Sequence, residues 1–155
     1  MSETSPGGAA SSLSETILSV DPGSVKCGLA VVSSPPLTRL RMRVVDRARL
    51  TIEIGACLRE FPAIRRLLMG SGTGSQALRR AVQDTFPLLI LETVDEHGSS
   101  ERARRRFVRE TPPRGLRRLL PPGLRVPERP YDDYVALLLA EDYFLRPAPP
   151  AEPPP

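Results

Sequence analysis

The chain has 155 residues, enough for one domain with its own core. No apolar run approaches the ~20 residues of a bilayer span, and Met1 to Ser14 has neither a basic n-region nor an apolar h-region, so neither a membrane partner nor a secretion signal is expected. Lys and Arg outnumber Asp and Glu by 22 to 18, and this net charge of +4 favours an anionic partner, nucleic acid first. Lys26 is the only lysine, so where the arginines fall says more than their total. Cys27 and Cys57 are expected as buried thiols, which suits a reduced, cytoplasmic setting better than a disulfide.

Residues 1–15, rich in Ser, Gly, Ala and Glu, and 146–155, mostly Pro and Ala, read as disordered tails around a folded unit at 16–145. Thr16–Asp21 and Cys27–Ser33 read as two strands whose short turn suits an antiparallel hairpin, and Leu37–Asp46 as a third, alternating strand. Arg49–Phe61 has helical spacing in Leu50, Ile54, Cys57 and Leu58, with Pro62 beyond its end. Arg65–Gly70 is a short strand running into Ser71-Gly72-Thr73-Gly74-Ser75. Gln76–Thr85 reads as a helix, Leu88–Val94 as a fifth strand, and Ser99–Arg109 as a helix with a serine cap. Pro112–Pro130 is Pro/Arg-rich and irregular, and Tyr131–Phe144 is the last helix. The order implies an α/β fold with a mixed five-stranded sheet, its first three strands antiparallel, flanked by helices.

Three acids stand out. Asp21 ends an apolar strand and enters the tight turn Pro22-Gly23-Ser24; it is either a turn-fixing residue or a ligand for a metal or phosphate. Asp95-Glu96 follows the fifth strand, at the end where open α/β sheets place ligands. Asp132 opens the last helix and is followed at +3, +4 and +7 by Val135, Ala136 and Leu139, so it shares a core-facing side; Asp133, rotated by ~100°, is expected in solvent. First-turn acids also serve as helix-dipole partners, the plainer reading of Asp132. Three hard oxygen donors from two strands and a helix would suit Mg²⁺ or Mn²⁺, the ions that serve phosphodiester hydrolysis.

Taken in order, Asp21-Pro22-Gly23-Ser24, Gly70-Ser71-Gly72-Thr73, Val94-Asp95-Glu96-His97 with Ser99-Ser100, and Asp132-Asp133-Tyr134-Val135-Ala136 resemble the motifs of YqgF/RuvX-like nucleases. These belong to the RNase H-like superfamily and are cousins of RuvC-type Holliday junction resolvases. The resemblance spans about 17–144. It implies a metal-dependent nuclease, acting in ribosomal RNA precursor processing or on branched DNA. It also implies Asp21, Glu96 and Asp132 as catalytic metal ligands, with Asp95 non-ligating. The chain departs from the family's Asp-Glu-Arg at His97, and its lysine falls at Lys26, one place later than in many members.

Candidate nucleic-acid contacts are Lys26, Ser71 and Thr73 of the glycine loop, and Arg102, Arg105, Arg106, Arg114, Arg117 and Arg118 from the stretch 101–129, which holds ten arginines and three acids. The glycine loop lacks the P-loop lysine, and its plainer reading is a strand-to-helix turn. His97 is either a proton donor or a surface residue. Phe107 alone interleaves the arginines, which gives base stacking little support. The substrate is then structured RNA, or branched or single-stranded DNA. Symmetric cutting of a four-way junction needs two sites and so a homodimer, whereas a monomer suits RNA processing. A non-catalytic binding module on the same fold is the alternative; an actin- or sugar-kinase-type ATPase would need a second lobe.

Overall fold

A computed structural model describes residues 13–72, 74–113, 115–121, 124 and 129–147, with only the backbone of residues 116 and 117. Five strands form one sheet: β1 (Glu15–Pro22), β2 (Lys26–Ser34), β3 (Thr38–Asp46), β4 (Arg66–Gly70) and β5 (Ile90–Val94). Their spatial order is β3-β2-β1-β4-β5. β1 pairs antiparallel with β2 and β2 with β3, while β4 lies parallel to both β1 and β5. The mixed sheet expected from the sequence is therefore present. Every residue of β1 from Ile17 to Val20 is buried, as its central position between two covered faces requires.

The described residues form four α-helices: α1 (Leu50–Glu60), α2 (Ser75–Thr85), α3 (Ser99–Glu110) and α4 (Asp132–Leu145). Leu50, Ile54 and Cys57 of α1 and Leu78 and Val82 of α2 pack on one face, against Leu18, Val20, Leu67 and Met69. On the other face, Ala136, Leu137, Leu139 and Ala140 of α4 meet Ile17, Ala30, Val32 and Leu68. α3 does not cover the sheet. Its Ala103, Phe107 and Val108 pack on Tyr134, Val135 and Leu138, the outer side of α4. α4 is thus enclosed between sheet and helix, and every residue from Asp133 to Ala140 is buried.

That enclosure overturns one expectation. Asp133 is 3% exposed, not solvated. A ~100° rotation around α4 leads from the sheet to the α3 side rather than to water. Asp133 is kept charged-compatible there by Arg129, whose guanidinium donates to both carboxylate oxygens at 3.2 Å and lies over the Phe107 ring, 5.0 Å from its centroid.

Most element boundaries move by a residue or two, and two of the shifts matter here. β1 begins at Glu15, a residue assigned by sequence to the N-terminal tail, and β5 begins at Ile90 because Pro87 to Leu89 turn first. The N-cap of α3 is Gly98, at φ 72°, and Ser99 instead donates its hydroxyl back to the Glu96 carbonyl at 2.6 Å. Most of both expected tails lies outside the described residues; Arg146, assigned to the second, forms an ion pair with Glu92 at 3.6 Å. Cys27 and Cys57 are both buried free thiols. Among the described residues no helix is long and apolar enough to cross a membrane.

Candidate active site

Asp21 stands at the end of β1, in register with Gly28 of β2. A side chain at position 28 would put its Cβ 1.8 Å from the Asp132 carbonyl oxygen, so glycine here lets the first turn of α4 rest on the hairpin. That close approach carries Asp132 to the edge that holds Asp21. The turn is closed by Gly23, whose Cβ would fall 2.1 Å from the Lys26 carbonyl oxygen.

Glu96 follows β5 and reaches back across β4. A Cβ on Gly70 would lie 1.6 Å from Glu96 Oε1, so only glycine leaves room for the carboxylate. The Gly72 N–H donates to Oε1 at 3.2 Å. The Glu96 carbonyl accepts the Ser99 N–H at 2.9 Å as well as its hydroxyl. The glycine loop, read from sequence as either a phosphate contact or a strand-to-helix turn, here holds a carboxylate.

Arg47, which the sequence reading passed over, ties the two loops together. Its guanidinium donates to the Gly23 and Gly74 carbonyls, each at 2.8 Å, and its backbone N–H donates to Val25 at 2.8 Å. Nothing in its local pattern marks it, because its partners are backbone carbonyls 24 and 27 residues away.

The three acids share an electrostatic environment. Burial pushes the Asp21 carboxyl up to about 7 from 3.8, and the charges of Glu96 and Asp132 push the same way. Burial also raises Glu96, against the Gly72 N–H and reinforced by Asp95. Asp132 is raised by burial and by Asp133, against its own backbone N–H and the Lys26 charge. Structure therefore brings Asp21, Glu96 and Asp132 to one edge, with Lys26 at its rim.

Among the described residues no three His, Cys, Asp or Glu side chains form a ready cage for a cation. The three carboxylates nonetheless fit a hard divalent ion by donor type and by charge. They carry surplus negative charge on partly buried oxygens, as Asp21's raised proton affinity records.

The other candidates divide. Ser71 is exposed, and its N–H donates to the Val94 carbonyl at 3.0 Å. His97 and Asp95 are exposed, and the His97 backbone N–H donates to Asp95 Oδ1 at 3.0 Å. Thr73, Arg114 and the Arg117 side chain lie outside the described residues. Arg102 forms two bonds to Asp142, at 2.7 and 2.9 Å. Arg105 pairs with Glu101 at 2.6 Å, and Arg106 with Glu110 at 2.8 Å and with Glu141. Arg118 follows in a 3₁₀ turn, Gly115–Leu119, with its side chain exposed.

No family model and no curated protein matches the chain. Among solved structures, Thermus thermophilus RuvC in complex with a Holliday junction substrate is similar at TM-score 0.53 and 17% identity, over 81% of this chain and 90% of that one. The fold is of the RuvC, RNase H-like type. A second Thermus thermophilus RuvC structure is similar at TM-score 0.51 and 16% identity, with the same coverage. At these identities the likeness to RuvC is one of fold, and chemistry has to be argued from the acids themselves.

Proposed function

We propose that this protein is a divalent-metal-dependent nuclease that hydrolyses phosphodiester bonds in nucleic acid, with branched DNA as the leading substrate. One observation carries the reading: three carboxylates from β1, the segment after β5 and the start of α4 meet at one edge of a RuvC-type sheet, where Asp21 is held near pKa 7. Asp21, Glu96 and Asp132 would hold Mg²⁺ or Mn²⁺. Such an ion, when bound, activates water and offsets charge on the scissile phosphate.

The chain's own residues do the rest. Gly72 and Ser99 fix Glu96, one through its carboxylate and the other through its carbonyl. The Gly28 contact fixes the start of α4 and so Asp132. Lys26, whose charge is felt at Asp132, would meet a substrate phosphate. The setting that suits two reduced thiols is the cytoplasm. Support for branched DNA comes from the RuvC likeness. The motif order that resembles YqgF/RuvX nucleases supports a second substrate, structured ribosomal RNA precursor.

The test is a cleavage screen of the purified full chain with Mg²⁺ and with Mn²⁺, against a four-way DNA junction, single-stranded DNA and structured RNA. Metal-dependent cleavage of the junction is expected. Cleavage of structured RNA alone would move the substrate to RNA. Binding without cleavage of any of the three would make the protein a non-catalytic module.

A further inference from the structure

Among the described residues, much of the positive charge on α3 is already matched by acids. Arg102, Arg105 and Arg106 are held in ion pairs with Asp142, Glu101, Glu110 and Glu141. The acids beside them cancel much of their positive field where a polyanion would approach, so they add little net attraction. Arg79 and Arg80 of α2 are different. Among the described residues neither has a carboxylate partner, and the Arg79 Nε is screened from solvent with no hydrogen-bond partner at all.

These two arginines belong to a face. Gln76, Arg79, Arg80 and Gln83 fall at i, i+3, i+4 and i+7, within an arc of ~100° on α2. The opposite side of the helix carries the buried Leu78 and Val82. Between the four polar side chains and Leu91 of β5 lies an open depression of about 240 Å³. Arg104 and Arg109 of α3, which have no ion-pair partner among the described residues, point ~140° apart and share no face.

Position completes the argument. α2 leaves directly from the loop whose Gly72 holds Glu96, and it runs back from the carboxylate edge beside β5. From Gln76 to Gln83 the helix advances ~10 Å. That is room for about two successive phosphates of one strand, whose spacing along the backbone exceeds the ~3.4 Å axial rise. Guanidinium groups and carboxamides are the side chains that meet phosphate oxygens without reading sequence.

We propose that the Gln76–Arg79–Arg80–Gln83 face of α2 is a phosphodiester-backbone track that leads one strand of the substrate to the carboxylate edge. The inference rests on the nuclease reading, since it takes nucleic acid as the ligand. It places the backbone on α2, away from the arginine-rich α3.

The test measures binding, in EDTA so that cleavage plays no part. Probes are a fluorescein-labelled four-way DNA junction and a labelled single-stranded RNA, titrated with the full chain across a salt series. R79Q/R80Q is compared with wild type, with R79K/R80K and with R104Q/R109Q; Arg80, Arg104 and Arg109 are exposed while Arg79 is half-buried, so matched melting midpoints are required to confirm folding. R79Q/R80Q is expected to weaken binding at least about tenfold near 0.1 M salt and to lower the log K against log salt slope by about 2. R79K/R80K should restore the slope, and R104Q/R109Q should leave it close to wild type. Wild-type binding with an unchanged slope in R79Q/R80Q would overturn the track and leave the nuclease reading standing. Equal losses in R79Q/R80Q and R104Q/R109Q would overturn it too, in favour of diffuse attraction. Failure of wild type to bind either probe would overturn both.

Discussion

Asp21 is the residue at which the site opposes the fold, and its replacement by asparagine turns that into a stability measurement. The carboxyl is raised from 3.8 to about 7 by burial and by the charges of Glu96 and Asp132. A rise of about three units, at ~1.4 kcal/mol each, means that ionising Asp21 in the folded chain costs on the order of 4 kcal/mol. The sign follows from proton binding. Between about pH 4 and pH 7 the folded state holds a proton that the unfolded state has released, so stability falls as pH rises through that window. Below it the penalty is absent, and above it the penalty is complete. Asparagine carries no charge but still buries an amide, so Asp21→Asn should recover roughly half the cost, about 2 kcal/mol above pH 8. In a chain of this length that raises the melting temperature by about 4–8 °C. Urea unfolding of the metal-free full chain in EDTA, at about pH 4.5 and about pH 8.5, measures it. With the amide's cost the same at both values, the variant should be about 1 kcal/mol less stable than wild type at the lower pH and about 2 kcal/mol more stable at the higher. A variant no more stable than wild type at pH 8.5, or a gap that is the same at both values, would refute the claim that Asp21 is buried against two charged neighbours.

Gly28→Ala drives a Cβ into the Asp132 backbone at 1.8 Å, where neither strand nor helix can yield cheaply. It should cost about 3 kcal/mol or more in urea unfolding. Gly70→Ala meets a flexible side chain rather than backbone, at Oε1, Cδ and Cγ of Glu96. It should leave the melting temperature within a few degrees of wild type while cleavage falls by about 100-fold, the opposite ratio of effects from Gly28→Ala. Arg129→Ala strips the partner from buried Asp133 and should destabilise by about 1–3 kcal/mol. Adding Asp133→Asn should recover part of that loss, a coupling that a double-mutant cycle of melting curves reads directly.

Much of this was legible in the chain because it was written in local patterns. The hairpin shows in two apolar runs flanking Pro22-Gly23-Ser24, and Asp21, Glu96 and Asp132 each sit at an element's end, where period and turn residues mark the position. Asp133 was misplaced because the unbroken apolar run 134–140 that follows it has no polar side to set the direction of solvent; that direction came from α3, which packs from outside. The fate of the arginines was hidden for a similar reason. Composition displays charge, but pairing depends on which acids a distant helix offers, and α4 supplies Glu141 and Asp142 to α3. Gly28 and Gly70 did carry a signal, since glycine at a strand position often marks a close approach. What approached, the Asp132 backbone in one case and the Glu96 carboxylate in the other, belongs to tertiary structure.

The central claim is that Asp21, Glu96 and Asp132 act as one catalytic unit. Single-turnover cleavage of a four-way DNA junction by the full chain in Mn²⁺ tests it most directly, with Asp21→Asn, Glu96→Gln and Asp132→Asn measured beside wild type. Each variant should lose about 1,000-fold or more in rate, and pairing any two should add little, because residues that act as a unit are not additive. Retention of more than about a tenth of wild-type cleavage by any one of them would contradict the account.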